Sequence, residues 1–209
     1  FPDENIRKEV EDRIQAPFVG TAEDDMIIYT MLDLEQHIGR KITWVTGETF
    51  DQVIVNKKSK GKTFLPSHIR RFCTTEMKTK PIAFWIYENL KKAPIMNFGF
   101  RANEHSRAKR MNDRKNKNGF VEVKIIVGKS NNGRNKWKTI NYCTPNFPLI
   151  KDGIYKDQIE SYWKSKEVRF AWMNNCVGCF HKEPILLKKM WEKHPTKLNW
   201  FASKERESI

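Results

Sequence analysis

The residues of this chain most suited to chemistry are its four cysteines, Cys73, Cys143, Cys176 and Cys179, together with two clusters of arginine. Cys176-Val177-Gly178-Cys179 sets two thiols three positions apart, a spacing at which one turn can aim both sulfurs at a single zinc ion or iron–sulfur cluster. Structural thiols and a redox pair are the alternatives, but the strand-then-helix setting of a redox motif is missing. Four cysteines in 209 residues are too few for a disulfide scaffold and point to an intracellular protein. Arg70-Arg71-Phe72-Cys73-Thr74-Thr75, with Lys78, gathers cations around hydroxyls ahead of an expected helix, a pattern suited to an anion. Arg101 falls at the carboxyl end of an expected strand, where open α/β sheets bind ligands, and is followed by Glu104 and Arg107. His181 beside Cys179 is either a ligand, an acid–base group or a plain surface histidine.

The elements that would position these groups follow from periodicity. Ile6, Val10 and Ile14, four apart, predict an amphipathic helix. Phe18-Val19-Gly20 reads as the end of a strand, Thr21 to Asp25 as a helix cap, Met26 to His37 as a helix stopped by Gly39, and Lys41 to Thr46 as a strand. That order predicts a βαβ unit and a mostly parallel sheet flanked by helices. Asn56 to Lys62 reads as a basic surface loop and Pro81 to Lys91 as a helix. Ile95 to Arg101 reads as a strand, and Val121 to Val127 with Trp137 to Tyr142 as a hairpin turning at Ser130 to Asn135. Asp157 to Lys164 and Pro184 to His194 complete the helices, the last ended by Pro195. No repeat and no second domain boundary is visible. Seven tryptophans and thirteen phenylalanines exclude a disordered polymer, and no apolar run is long enough to span a bilayer. The net charge of +14 favours a polyanionic partner, including tRNA or DNA. Six cations between Arg107 and Lys117 are opposed only by Asp113.

Taken in order, these segments resemble the phosphoadenosine phosphosulfate reductase family of the PP-loop superfamily, in its phage and bacterial form. Phe72-Cys73-Thr74 with Glu76-Met77-Lys78 is similar to its Cys-Thr, Leu-Lys element, and Gly99-Phe100-Arg101-Ala102-Asn103-Glu104 with Arg107 to its Gly-Ile-Arg-Ala-Asp-Glu segment. Phe147-Pro148-Leu149-Ile150 with Gly153-Ile154 resembles its Tyr-Pro-Leu, Gly-Ile stretch, and Phe18 to Glu23 its second-strand element. Asn175 to Phe180, with Lys182, Pro195 and Trp200, resembles its C-terminal signature. The resemblance implies one adenine nucleotide α-hydrolase-like domain over residues 1–209, with a small hairpin insertion and a helical, cysteine-containing C-terminal segment. It implies an adenine nucleotide or sulfonucleotide, with Mg, held by Thr21, Glu23, Arg70, Arg71, Thr74, Lys78, Arg101, Glu104 and Arg107. It further implies a 4Fe–4S cluster, or zinc, on Cys73, Cys143, Cys176 and Cys179, and sulfonucleotide reduction or sulfur transfer in a bacterial or phage-infected cytoplasm. The family's Ser-Gly-Gly phosphate loop has no counterpart here, so a domain lacking its first strand and that loop is expected. The Glu-Cys-Gly-x-His segment of the classical reductases is also absent. A non-catalytic nucleic-acid-binding or phage accessory protein that keeps the fold is the alternative expectation.

Overall fold

In a computed structural model, residues 4–56, 62–173 and 176–207 are described. The centre of the basic stretch expected as a loop, 57–61, and the asparagines at 174–175 lie outside them. The chain divides into two compact units, residues 1–77 with 167–209, and residues 78–166.

In the first unit, α1 (Glu4–Ile14) and α2 (Met26–Ile38) pack Val10 and Ile28 against Phe18, with Leu32 and Trp44 alongside. Asp24 Oδ1 accepts the Met26 N–H at 3.0 Å, placing a carboxylate at the positive end of α2. Gly39, at φ +64°, adopts the left-handed conformation that closes the helix, as its position predicts. Neither Phe18-Val19-Gly20 nor Lys41 to Thr46 is a strand, so the expected βαβ unit is not formed there. The second segment still alternates in burial over 41–45, but the Ile42 N–H is taken at 2.7 Å by the Glu35 carboxylate instead of a neighbouring strand. Glu35 is held in turn by Arg13, which also reaches Glu9 and lies over the Trp44 ring. After α3 (Phe50–Ile54), closed at its start by a Thr49–Gln52 capping box, come two short antiparallel strands, β1 (Val55–Asn56) and β2 (Lys62–Thr63).

The remainder of this unit arrives late in sequence. Asp33, buried on α2, accepts three hydrogen bonds from Arg169: its backbone N–H at 2.9 Å, Nε at 2.8 Å and Nη2 at 2.7 Å. Thr30 Oγ1 donates to the Arg169 carbonyl at 2.7 Å. Beyond this clamp, α9 (Pro184–Lys193) and α10 (Pro195–Glu207) bury Met190 and Leu198 against Val177. α9 stops at Lys193, just ahead of Pro195, as expected, but the chain does not leave helix there. Pro195 opens α10, because a first-turn proline has no intrahelical N–H to lose.

The expected hydroxyl-rich turn at residues 72–75 is itself helical. α4 (Phe72–Thr74) runs into a π-helical turn, Thr75–Thr79, and on into α5 (Lys80–Asn89). Pro81 supplies the reason: it has no N–H for the Met77 carbonyl and its ring would press on that group, so the turn ahead of it widens.

The second unit is built on a three-stranded mixed sheet of order β3-β5-β4. β3 (Ile95–Asn97) pairs in parallel with the end of β5 (Asn135–Asn146), and β4 (Val121–Lys129) pairs antiparallel with its Asn135 to Cys143 stretch. The α/β class therefore stands, but this sheet has one parallel and one antiparallel pairing and is not the mostly parallel sheet expected. The hairpin turns where Ser130 to Asn135 predicts, and β5 is longer than expected because its tail continues as the partner of β3. α5 lays Ala83 and Ile86 on Val121, Ile125, Ile140, Tyr142 and Cys143. Three further helices follow in this unit: α6 (His105–Asn112), α7 (Pro148–Lys151) and α8 (Lys156–Lys164). Among the described residues no helix is long and apolar enough to cross a membrane.

Replacing Asp33 by Asn leaves the Arg169 donors facing a neutral amide, with an expected cost of about 2 kcal/mol, the worth of hydrogen bonds to a charged group. The Arg169 hydrogen bonds hold the Asp33 carboxyl below its ordinary range against the opposing effect of burial. A depressed acid stabilises above its unfolded pKa and loses that contribution as pH falls through its folded value. Thermal melts should show wild type above Asp33→Asn at pH 7 and the gap closing in strong acid. A constant gap across pH would refute the charged clamp.

Candidate functional site

Two segments, a loop and a stretch that includes α7, leave the carboxyl ends of the parallel pair β3–β5 and meet. From β3 runs Phe98-Gly99-Phe100-Arg101-Ala102-Asn103-Glu104, and from β5 runs Phe147-Pro148-Leu149-Ile150, continuing to Gly153-Ile154. The Ala102 N–H donates to the Ile154 carbonyl at 2.9 Å, and the Phe98 N–H to the Asn146 carbonyl at 2.9 Å. Asn146 Nδ2 donates to Asn97 Oδ1 at 2.7 Å across the strand ends. Phe100 and Phe147 stack with centroids 5.5 Å apart and planes 13° from parallel, and the Arg107 guanidinium lies 4.3 Å from the Phe100 centroid.

Glu104 organises the cations of this crest. Its Oε2 accepts the Arg101 N–H at 2.9 Å and Arg101 Nε at 3.1 Å, while Oε1 accepts Arg107 Nη1 at 2.5 Å. Burial works to raise the Glu104 pKa, but the Arg101 N–H and the two guanidiniums outweigh it and hold the carboxyl at about 2. One carboxylate between two guanidiniums leaves a net positive charge. Each guanidinium has five N–H donors, and Glu104 engages only Nε of Arg101 and Nη1 of Arg107. The crest can therefore accept a phosphate or sulfate group beside an aromatic wall. The expected strand over 95–101 ends earlier, at Asn97, and this shortening frees residues 98–104 to form the loop.

The remaining expected site residues lie elsewhere. Lys197 Nζ donates to the carbonyls of Thr21 at 3.1 Å and Glu23 at 2.6 Å and to Asp25 Oδ1 at 2.7 Å, so this segment cradles a cation from α10. The Ala22 carbonyl accepts the Val177 N–H at 2.8 Å. Together these contacts make Thr21 to Asp25 a dock for the cysteine segment, through Val177, and for α10, through Lys197. Arg70 sits over Phe64 with 5.5 Å to the ring centroid, and Arg71 precedes α4, which carries Cys73 and Thr74. Lys78 falls in the π-helical turn.

Cys176 and Cys179 form a tight turn in which the Cys179 N–H donates to the Cys176 carbonyl at 3.1 Å. Lys182 Nζ donates to that same carbonyl at 2.5 Å. Partial burial lowers the Lys182 pKa, opposed by the two thiols and Glu23. Gly178 is required for a steric reason, because a Cβ there would stand 2.5 Å from the Phe201 ring. Next to the turn, the His181 and His68 rings meet edge to face at 4.5 Å, and Phe180 lies 5.1 Å from His68. This aromatic–histidine group was not legible in sequence, since His68 and His181 are far apart along the chain. Cys143 has the setting of a core side chain, with 0% exposure and a thiol that burial pushes up to about 11. Among the described residues no three His, Cys, Asp or Glu side chains cluster closely enough to hold a metal ion.

No protein-family model, no curated protein and no solved structure matches the chain.

Three measurements follow from this geometry. In native thiol titration of metal-free protein Cys73, Cys176 and Cys179, all partly exposed, should react, while Cys143 should react only after unfolding. Native modification of Cys143 would contradict its place in the core. Gly178→Ala should cost about 1–3 kcal/mol through overpacking against Phe201, read as a lower midpoint in urea. Glu104→Gln should lower Tm at neutral pH. Because a carboxyl depressed from 4.5 to about 2 stabilises fully above its unfolded value, the wild-type advantage should fade between those two pH values.

Proposed function

We propose that this chain binds an adenine nucleotide or sulfonucleotide at the crest of its mixed sheet and serves sulfonucleotide reduction or sulfur transfer, in the manner of the phosphoadenosine phosphosulfate reductase family. One observation carries the reading: two segments that resemble that family, Gly99 to Glu104 and Phe147 to Ile154, are joined by the Ala102–Ile154 hydrogen bond beyond the ends of neighbouring parallel strands. The reading includes the family's larger, mostly parallel sheet, with β3–β5 as its parallel pair.

In this reading Arg101 and Arg107 neutralise the phosphate or sulfate charge, both in the bound nucleotide and as charge moves during transfer. Glu104 is a positioning residue that fixes the two guanidiniums in one orientation. The stacked Phe100 and Phe147 rings give one apolar wall, which excludes water from the anion and strengthens each charged hydrogen bond. Calorimetric titration with ATP and with phosphoadenosine phosphosulfate should show binding that weakens about tenfold in Arg101→Ala and in Arg107→Ala, the loss expected for a charge-assisted hydrogen bond. Sulfite release from the sulfonucleotide would identify the reductase form. Absence of binding to either nucleotide would overturn the reading.

The metal part of the proposal rests on the Cys176–Cys179 turn. Two thiols fit half of the set that a 4Fe–4S cluster or structural zinc takes. Cys73 and Cys143 would have to complete it, and Cys143 would first have to leave its packed, protonated state. A bound ion or cluster would supply structural closure or electron transfer. Elemental analysis and visible absorbance of the purified protein check this: Cys176→Ser and Cys179→Ser should abolish any bound metal. Metal content unchanged in both variants would refute the assignment.

A further inference from the structure

The positive charge of this protein is segregated. Residues 78–166, the second unit, carry 20 Lys and Arg against seven Asp and Glu, a net of +13. The rest of the chain nets +1. Charge of this density on one small unit exceeds what a single nucleotide's phosphates require, and much of it stands away from the crest.

Five of these cations, Lys124, Lys129, Arg134, Lys136 and Lys138, lie on the β4–β5 hairpin, where Glu122 is the one acidic residue. All five are exposed. They are interleaved with exposed aromatic rings. Trp137, 48% exposed, has Lys80 Nζ at 5.3 Å and Lys124 Nζ at 5.6 Å from its ring centroid. Tyr87, 39% exposed on α5, has Lys138 Nζ at 4.5 Å from its centroid and 3.2 Å from its hydroxyl. Beside Tyr87 lies an open depression of about 540 Å³, with Ile86, Leu90 and Ile140 among its apolar lining and Lys91, Lys92 and Lys138 among its cations.

From these observations we infer that the hairpin and the adjoining exposed side of α5, from Lys80 to Tyr87, form a binding surface for single-stranded nucleic acid. Phosphates meet the lysine rows, and unpaired bases stack on Trp137 and Tyr87. The chemistry selects this occupant in two steps. A surplus of exposed ammonium groups with almost no opposing carboxylate calls for a polyanion. Exposed rings set among those ammonium groups add a requirement for flat faces, which unpaired bases offer and a duplex or a sulfated polysaccharide does not. Trp137 is nine residues from Asn146 along β5, roughly 30 Å at strand spacing. The surface is therefore separate from the crest and does not depend on the nucleotide reading.

Fluorescence anisotropy with the whole protein tests the assignment, using labelled oligothymidylate of about 20 nucleotides, a DNA duplex of the same length and labelled heparin. Wild type should bind the oligothymidylate more tightly than the duplex, and binding should fall steeply between about 50 and 200 mM salt. The double variant Trp137→Ala, Tyr87→Ala should weaken oligothymidylate binding about tenfold or more while leaving heparin affinity within about twofold. Trp137→Phe, which keeps a stacking face, should retain most of the affinity and guards against a folding artefact. Lys124→Ala with Lys138→Ala should weaken both ligands. Equal oligothymidylate affinity in wild type and the aromatic double variant, or a wild-type preference for duplex, would overturn the proposal.

Discussion

A carboxylate buried midway along a helix must be met by donors, and Asp33 is met three times by one residue 136 positions downstream. The first unit depends on that answer. Its N-terminal helices and its C-terminal helix pair are contributed by two stretches of chain with the whole second unit between them, so nothing covalent and local holds them together. The Asp33–Arg169 clamp fixes where the returning chain arrives. The Thr21 to Asp25 dock then seats Val177 and Lys197, and the Val177, Met190 and Leu198 cluster completes the closure. The position of the Cys176–Cys179 turn is a consequence of this sequence of contacts.

The crest of the second unit obeys the same logic at shorter range. Glu104 gathers Arg101 and Arg107, and its own charge is secured by the donors it gathers. A carboxylate held this far below its ordinary pKa is ionised at neutral pH, and so remains charged between the two guanidiniums. The aromatic pair Phe100 and Phe147 stands against that charged group, so the polar and apolar parts of the crest are set by the same short loops. The hairpin surface uses charge differently: its ammonium groups are exposed and flank rings, an arrangement suited to a flexible polymer more than to one rigid ligand.

Local rules made much of this legible. Gly39 closing α2, the Ser130 to Asn135 turn and the apolar spacing of α1 each depend on interactions within a few residues, and each was readable in sequence. What escaped was decided by distant partners. Lys41 to Thr46 has a strand's composition, but the Glu35 carboxylate, held in place by Arg13 from α1, takes the Ile42 N–H. Nothing near Gly178 in sequence signals its constraint, which is the Phe201 ring brought in by α10. The division into two units left no glycine- or proline-rich linker to read, because one boundary falls inside the helical run from Phe72 to Asn89. Arg101, Glu104 and Arg107 come together as their spacing suggests, while Thr21 and Glu23 present carbonyl oxygens to a lysine.

The interrupted first unit also constrains how the molecule is made. During synthesis the second unit is complete, with every strand and helix of its core, once residue 166 has emerged. The first unit must wait for residues 167–209, and Asp33 remains without Arg169 throughout that interval. Contacts of such long sequence separation form slowly, so a ribosome-bound chain would carry a folded basic insert between two unfinished flanks. Any factor that recognises the nascent protein would therefore encounter its most cationic part first in finished form.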